Sequence, residues 1–246
     1  MAGWYRFLAT SDHWIARSAR AVRRSALNFS VPAPRLIAVP LRSAITGVRF
    51  VYYMLMRAFV CEPFFKSYCT SYGRNLRTGV FLHWVQGKGD LIVGDNVVID
   101  GRCHFIFASR YHERPTLIIG SHSGMGYGCA FAVGKKITLG NHVRLGSSVV
   151  IFDVPGHPAD PEARKLGKEA DPEDVRPVTI EDNVWIGTNS TIYPGVTIGE
   201  NSIVSSGSVV MSSVPANVLV AGNPARQVRS LVSGKPETAK EAVLRP

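Results

Sequence analysis

From residue 180 onward, a bulky aliphatic residue returns at every sixth position. These positions are Ile180, Ile186, Ile192, Ile198 and Val204, and the fifth place of each sextet holds Val or Ser. An amphipathic helix needs apolar residues every three or four positions, and a half-buried strand needs them at every second position. A period of six fits neither and indicates a solenoid, in which each sextet is one short side whose aliphatic residue points inward. The pattern therefore predicts an all-β coil around one long apolar core.

The same frame continues upstream and is interrupted twice. Sextets begin at Val93, Ile119, Leu139 and Leu145, and the frame breaks at 110–116 and again between Gly156 and Val178. Insertions in a solenoid leave the coil as loops, often on the binding face. A loop of about twenty residues in a compact domain is usually functional or disordered. We therefore predict a coil over residues 89–232, a functional loop over 156–177 and a C-terminal tail over 233–246.

The positive charge lies in the first 88 residues. This segment holds thirteen Lys and Arg against Asp12 and Glu62, a net of +11, which leaves −1 for residues 89–246 out of the total of +10. It has no repeat, and it interleaves arginines with aromatic residues. We predict an α-helical or irregular basic segment over 1–88.

Two roles for this segment stay open. The apolar run 48–61 contains Arg49 and Arg57 and is shorter than the roughly 20 apolar residues of a membrane span. It can lie in a membrane interface with its arginines near anionic head groups, or it can cover the open end of the coil as a cap. Nucleic acid is not expected as a partner, because no recognised binding motif accompanies the charge.

The cysteines indicate a reducing compartment. Cys61, Cys69, Cys103 and Cys129 show no metal-binding spacing, so free thiols and no metal site are expected. The N-terminus lacks the apolar region of a signal peptide. The expected location is cytoplasmic, with peripheral contact to the inner face of the membrane if the basic segment binds lipid.

One histidine stands where the second loop leaves the coil. His157 lies between Gly156 and Pro158, and prolines on both sides restrict the backbone that carries it. Imidazole titrates near neutral pH, and a neighbouring carboxylate can fix its tautomer, which suits a general base. Asp153, Asp160 and Glu162 are the candidate partners. A solvated loop histidine is the alternative interpretation.

Several segments together resemble the hexapeptide-repeat O-acetyltransferases, especially the galactoside and maltose acetyltransferases and those of polysaccharide biosynthesis. The resemblance covers about 90–232 and lies in Gly156-His157-Pro158 with Glu162 and Arg164, and in three later stretches, 178–187, 192–199 and 214–226.

The resemblance implies a left-handed parallel β-helix, a homotrimer and acetyl-CoA as the acyl donor. It implies that the active site lies in the cleft between two coils. There His157 would deprotonate a hydroxyl, which then attacks the thioester directly.

The resemblance also implies roles for other residues. Thr188 and Ser206 would line the groove for the pantetheine arm, and Trp185 would pack or contact the cofactor. Arg226 and Arg229 would approach the coenzyme phosphates, as charge-assisted donors do. The candidates for the acceptor side, or for orienting His157, are Asp153, Glu162, Arg164 and Tyr127.

The expected reaction is O-acetylation of a saccharide hydroxyl. The stretch 126–131 replaces the Asn-rich segment of the sugar acetyltransferases, and their N-terminal helical domain is not recognisable. We therefore expect a lipid-linked saccharide or a surface polysaccharide as acceptor. Transfer to an amine and a non-enzymatic scaffold stay open. A γ-type carbonic anhydrase is disfavoured, because the repeat-region histidines show no closely spaced pair of zinc ligands.

Overall fold

The computed structural model describes residues 2–231. The predicted tail at 233–246 lies outside the described residues. The chain divides into two compact units, 1–51 and 52–246, and each is described by itself.

The first unit is helical. It contains α1 (Ala2–Thr10), α2 (Trp14–Asn28) and most of α3 (Arg35–Met56). The Arg20 guanidinium donates to the carbonyl oxygens of Leu8 at 2.9 Å and Ser11 at 2.8 Å. These bonds satisfy carbonyls that the end of α1 leaves without helical partners. Ala16 of α2 is fully buried.

The helix α3 continues further than the apolar run in the sequence suggests. A π-helical turn (Arg57–Cys61) and α4 (Glu62–Lys66) extend it without a break in helical structure. This stretch, Arg35–Lys66, has 32 residues and is, by length and composition, long and apolar enough to cross a membrane. The sequence prediction counts only the apolar run 48–61, whereas the helix that contains this run is more than twice as long.

The second unit is a three-sided parallel β-helix with one strand per side in each coil. We name its sides sheets A, B and C in the order in which the chain visits them. Sheet A contains β1 (Ser71–Tyr72), β4 (Asp90–Val93), β7 (Thr116–Ile119), β10 (Lys136–Leu139), β13 (Val178–Ile180) and β16 (Thr197–Ile198). Sheet B contains β2 (Arg77–Thr78), β5 (Val98–Ile99), β8 (Gly124–Met125), β11 (Arg144–Leu145), β14 (Trp185–Ile186), β17 (Ile203–Val204), β19 (Val218–Gly222) and β20 (Ala225–Ser230). Sheet C contains β3 (Trp84–Gln86), β6 (His104–Phe107), β9 (Ala130–Val133), β12 (Val150–Phe152), β15 (Thr191–Ile192) and β18 (Val209–Val210).

The first coil begins at Ser71, before the predicted boundary at 89. Its strands β1, β2 and β3 pair in parallel with β4, β5 and β6. The predicted N-terminal segment 1–88 therefore contains a complete coil. The sextet frame misses this coil because Tyr72 and Thr78 stand at two of its aliphatic places, level with Val93 and Ile99. His83 stands at a fifth place, level with Cys103 of the next coil.

The interior confirms the inward-pointing positions of the repeat. Ile180, Ile186, Ile192, Ile198 and Val204 are all fully buried. The fifth-place serines are buried as well, and their hydroxyls donate to carbonyl oxygens of the turns, as Ser202 does to Pro215 at 2.7 Å. Deeper in the core, Phe105 and Phe131 of adjacent coils stack with ring centroids 5.4 Å apart.

The turn from sheet A to sheet B uses a left-handed backbone in every coil. The residues there have φ between 57° and 60°: Asn75, Asn96, His122, His142, Asn183, Asn201 and Asn217. Asn tolerates this conformation better than most residues. The side-chain amides also form ladder bonds, from Asn75 to Asn96 and from Asn183 through Asn201 to Asn217. At the two central positions the imidazoles of His122 and His142 stack instead.

Candidate active site

Both interruptions of the repeat leave the coil at the same corner, between sheets C and A. Residues 108–115 connect β6 to β7, and residues 153–177 connect β12 to β13. The Tyr111 hydroxyl donates to Glu169 at 3.2 Å and accepts from the backbone N–H of Ala170 at 3.2 Å. Arg110 forms an ion pair with Glu169 at 2.8 Å. The shorter loop therefore braces the longer one.

The long loop is ordered and closed at its base. It contains α5 (Pro161–Lys165) and a 3₁₀ turn (Pro172–Asp174). The backbone N–H of Arg176 donates to the carbonyl oxygen of Asp153 at 2.9 Å, which joins the two ends of the loop. Val154, Ala170 and Val175 are buried beneath it. A loop with its own small apolar cluster can hold a catalytic side chain in a defined position.

Asp153 has a different role from the one predicted. Its fully buried carboxylate accepts hydrogen bonds from the backbone N–H groups of Gly134, Lys135 and Lys136. Burial raises the pKa of this carboxyl, and the three backbone donors act in the opposite direction. Asp153 thus ties the start of the loop to the preceding coil. It does not orient His157, because its oxygens face backbone donors on that coil.

His157 follows a glycine with a left-handed backbone. Gly156 has φ of +80°, a conformation that costs glycine little. After it, the Arg164 guanidinium donates to the carbonyl oxygens of Pro158 at 2.9 Å and Ala159 at 2.8 Å. Asp160 caps α5 by accepting from the N–H of Ala163 at 2.7 Å. The backbone that follows His157 is therefore held in place.

The imidazole itself is exposed in the single chain. Within residues 2–231, no hydrogen bond reaches its ring nitrogens. Glu162 pairs with Lys165 at 2.7 Å rather than with His157. The predicted pairing of His157 with Asp153 or Glu162 is thus not formed within one chain, since both carboxylates are engaged elsewhere.

A second group of predicted residues shares the corner between sheets B and C. Tyr127, Thr188 and Ser206 occupy equivalent places in different coils, as the backbone bonds from Ser148 to Tyr127 and from Gly207 to Thr188 indicate. Ser147 fills the same place between Tyr127 and Thr188, because Asn189 N–H donates to its carbonyl oxygen. Ser147 is not among the residues predicted from the sequence, although Gly146-Ser147 aligns with Gly187-Thr188 in the repeat frame.

Tyr127, Ser147, Thr188 and Ser206 form what we call the hydroxyl column, and the coils are closely packed along it. A Cβ atom added to Gly146 would lie 2.6 Å from the Thr188 nitrogen, and one added to Gly187 would lie 2.5 Å from the Ser206 nitrogen. The glycines therefore let successive coils approach closely at this corner. Thr188, Ser206 and Tyr127 remain exposed beside them, so the column presents hydroxyl groups to solvent.

The remaining predicted cofactor residues lie on sheet B. Trp185 on β14 is 55% exposed, so packing does not account for most of its ring. Arg226 and Arg229 lie on β20, which pairs antiparallel with β19 beyond the sixth coil. Arg226 donates to the carbonyl oxygen of Ala225 at 2.8 Å. Both arginines are exposed, as a phosphate-binding side chain must be.

One chain does not bring the two groups together. His157 belongs to the corner between sheets C and A, and the hydroxyl column belongs to the corner between sheets B and C. One side of the coil separates these corners, and about five residues at about 3.3 Å each span roughly 16 Å. Across the described residues, no cluster of three His, Cys, Asp or Glu side chains is arranged to hold a metal ion, and all four cysteines are free.

The coil is similar in sequence to several acyl-transferring enzymes. The profile of the bacterial transferase hexapeptide family (six repeats) matches residues 177–211. Galactoside O-acetyltransferase of Escherichia coli (strain K12) is 34% identical over 139 residues, which cover 56% of this chain and 63% of that protein. The 2,3,4,5-tetrahydropyridine-2,6-dicarboxylate N-acetyltransferase of Clostridium perfringens (strain SM101 / Type A) is 49% identical over 61 residues, 25% of this chain and 26% of that protein.

A solved structure agrees in fold over a longer part of the chain. The hexapeptide-repeat containing acetyltransferase from Vibrio cholerae superposes with a TM-score of 0.50 and 26% identity, over 73% of this chain and 86% of that one. Residues 177–211 thus match the hexapeptide family, and the coil has the fold of a hexapeptide-repeat acetyltransferase. The parallel three-sided sheets together with this similarity confirm the predicted left-handed parallel β-helix. The chain spans less than two thirds of the length of the galactoside O-acetyltransferase that it matches.

Proposed function

We propose that this hexapeptide-repeat protein transfers the acetyl group of acetyl-CoA to a hydroxyl of a saccharide, with His157 as the general base. The observation that carries the proposal is the fixed loop at the corner between sheets C and A. Arg164 and Asp160 hold the backbone beside His157, and Tyr111 of the shorter loop bonds the other end of the long loop. A surface histidine without a role does not need such support.

The chemical step needs no covalent enzyme intermediate. His157 takes the proton of the acceptor hydroxyl, and the resulting oxygen attacks the carbonyl carbon of the thioester. The carbon–sulfur bond then breaks, and the leaving thiolate takes the proton from the imidazolium. Negative charge develops on the carbonyl oxygen and requires donors aimed at it, for which backbone N–H groups of a neighbouring coil are suited.

The site is completed in this proposal by a second copy of the chain. His157 and the column of Tyr127, Ser147, Thr188 and Ser206 lie on different corners of one prism. In a homotrimer around a threefold axis, each interface brings one corner of a protomer to a different corner of its neighbour. His157 of one protomer then faces the hydroxyl column of the next. Acetyl-CoA would lie between them, with its phosphates near Arg226 and Arg229.

The acceptor proposal rests on the N-terminal unit. Its exposed apolar residues on α3 and its arginines fit an anionic membrane surface, because arginines near head groups attract the lipid while apolar side chains enter the interface. We propose a lipid-linked saccharide as acceptor and a cytoplasmic protein bound peripherally to the inner face of the membrane. The four free cysteines support the reducing compartment.

Sedimentation with vesicles tests the membrane contact. The full chain should co-sediment with anionic vesicles at low salt, and the double variant Arg17→Glu/Arg24→Glu should bind at least about tenfold more weakly, since roughly 1 kcal/mol is gained per basic residue near such a surface. The matched control reverses two exposed charges on the coil, Lys88→Glu/Arg102→Glu. Equal binding of both double variants, or no binding of the natural chain, contradicts the proposal.

Release of free thiol from acetyl-CoA tests the reaction. We expect saccharide-dependent release that His157→Ala lowers by about 10²- to 10⁴-fold, the range for a lost general base. His142→Ala removes another exposed imidazole and should leave the rate unchanged. A His157→Ala variant that is folded and retains the natural rate would refute the role of His157.

Transfer to an amine is the second candidate, favoured by the 61-residue match to an N-acetyltransferase. The match to the O-acetyltransferase covers more than twice as much of this chain, so we rank oxygen first. Treatment of the product with mild base distinguishes the two, because an ester is cleaved and an amide survives. A base-stable product would select the amine.

A further inference from the structure

A cationic cavity lies where the long N-terminal helix meets the first coil. It holds about 630 Å³, within the range of small-molecule sites. Its lining contains Arg57 from the π-helical turn, Lys66 from α4 and Arg77 from β2, with Glu62 as its one acidic group. We call this the junction cavity. All of its residues belong to the second unit.

The positive charge of the junction cavity is not neutralised. Glu62 forms an ion pair with Lys66 at 2.8 Å, so the one carboxylate of the lining neutralises that lysine. Arg57 and Arg77 therefore leave a charge of about +2 facing one space. Two like charges held together at the edge of a rigid coil repel each other unless an anion enters, and that repulsion favours binding of an anion.

Arg57 supplies a second, independent observation. Its Nε atom is buried and has no hydrogen-bond acceptor within the part of the chain that the structure describes. A buried charged donor without a partner is costly, and native proteins rarely leave one. The π-helical turn that carries Arg57 is itself rare, and such turns are frequent at functional sites. Arg57 also lines the cavity, so an anion bound there would lie beside its guanidinium.

Amide groups complete the polar lining. Asn75 donates from its amide to the Asn96 oxygen at 2.9 Å, which holds both side chains at the cavity wall. The ladder stops there, because the next position is His122, which stacks on His142. Asn201 donates from its amide to the oxygen of Asn217. The amide N–H groups of Asn96 have no such acceptor in the next coil and can donate to a ligand.

Guanidinium groups match the geometry of phosphate oxygens better than any other side chain. Arg57 and Arg77 are such groups, and both line the cavity. We propose that the junction cavity binds a phosphate group, supplied either by a free phosphate or by the headgroup of a lipid.

This inference does not depend on acetyl transfer, because none of the cavity residues takes part in it. Titration calorimetry of the full chain at low salt tests it with two probes: inorganic phosphate, and monomeric dihexanoyl phosphatidic acid below its micelle concentration. We expect Arg77→Gln and Arg57→Gln each to weaken binding about tenfold, as loss of a charge-assisted hydrogen bond does. The control is Arg74→Gln, an exposed arginine of the same coil that pairs with Asp95 outside the cavity.

The two probes separate the possible sources of the phosphate. Binding of both probes, weakened by the cavity variants alone, supports a site for which a free phosphate suffices. Binding of the short-chain lipid alone, with the same pattern of variants, supports a lipid headgroup. Absence of binding by either probe, or an equal loss in Arg74→Gln, overturns the proposal. Arg77 is exposed, so Arg77→Gln decides the question even if Arg57→Gln does not fold.

Discussion

His83 is a neutral imidazole enclosed at the end of the coil. It is 6% exposed, its ring centroid lies 4.7 Å from that of Phe65, and its Nδ1 accepts from the backbone N–H of Cys103 at 3.2 Å. Burial lowers the pKa of His83 to about 4. The side chain therefore covers the apolar core as an aromatic residue does, while it satisfies one backbone donor.

The lowered pKa predicts a loss of stability in acid. In the unfolded chain the imidazole binds a proton below about pH 6.5, whereas in the folded chain it does so only near pH 4. The stability that this group contributes is therefore complete above pH 6.5 and falls as the pH is lowered from 6.5 to 4. Between about pH 7 and about pH 5 the loss is about 2 kcal/mol. Urea unfolding of the natural chain and of His83→Leu at both pH values measures it. The variant should lack this part of the pH dependence, whereas His122→Gln should retain it. Parallel curves for the natural chain and His83→Leu contradict the prediction.

At the scale of an element, the bracing of one loop by another controls the candidate site. Tyr111 joins residues 108–115 to residues 153–177 through Glu169 and the N–H of Ala170, and Ala170 is buried. Removing the hydroxyl leaves that N–H without its partner, which costs about 1 kcal/mol in the loop. The coil keeps its own hydrogen bonds, so the change lowers the free energy of opening the loop and leaves the free energy of unfolding the coil unchanged.

Tyr111→Phe should therefore open the loop without unfolding the coil. We expect tryptic cleavage at Arg164, Lys165 or Lys168 to become about fivefold faster, matching a change near 1 kcal/mol in the opening equilibrium. The acetyl-transfer rate should fall, because His157 is carried on the same loop. Tyr72→Phe, on the first coil, serves as the control. If cleavage is unchanged while the unfolding midpoint drops, Tyr111 supports the coil and not the loop.

At the scale of the whole molecule, the separation of the two corners predicts complementation between inactive variants. His157→Ala and Thr188→Tyr each damage one side of every interface in the proposed trimer. When the two variants are unfolded and refolded together in equal amounts, about a quarter of the interfaces pair an intact histidine with an intact hydroxyl column. Activity should return to about a quarter of the natural value.

Each variant refolded alone is the control and should stay inactive. A mixture that remains inactive, although sedimentation shows mixed trimers, would place both residues in a site within one protomer. A monomeric mass for the natural chain would exclude the shared site altogether.

The repeat by itself predicts the architecture of the coil, because a β-helix encodes its sides locally. Each sextet must turn one aliphatic residue inward, and Ile180 through Val204 are buried as that rule requires. The first coil does not follow this rule, since Tyr72 and Thr78 stand at two of its aliphatic places. The full length of the helix 35–66 could not be predicted from the apolar run alone, because polar residues interrupt the apolar pattern while the helix continues through them.

The candidate site could be predicted only in part. A motif places His157 at the start of a loop, but a loop side chain takes its partners from residues distant in sequence. Only the tertiary structure shows that Asp153 accepts from the backbone N–H groups of residues 134–136 and that Tyr111 bonds Glu169, 58 positions away. It also shows that the histidine and the hydroxyl column lie at different corners. The sequence determined which residues face the core, since burial follows the period. The structure decided which residues meet, because that depends on how the coils stack.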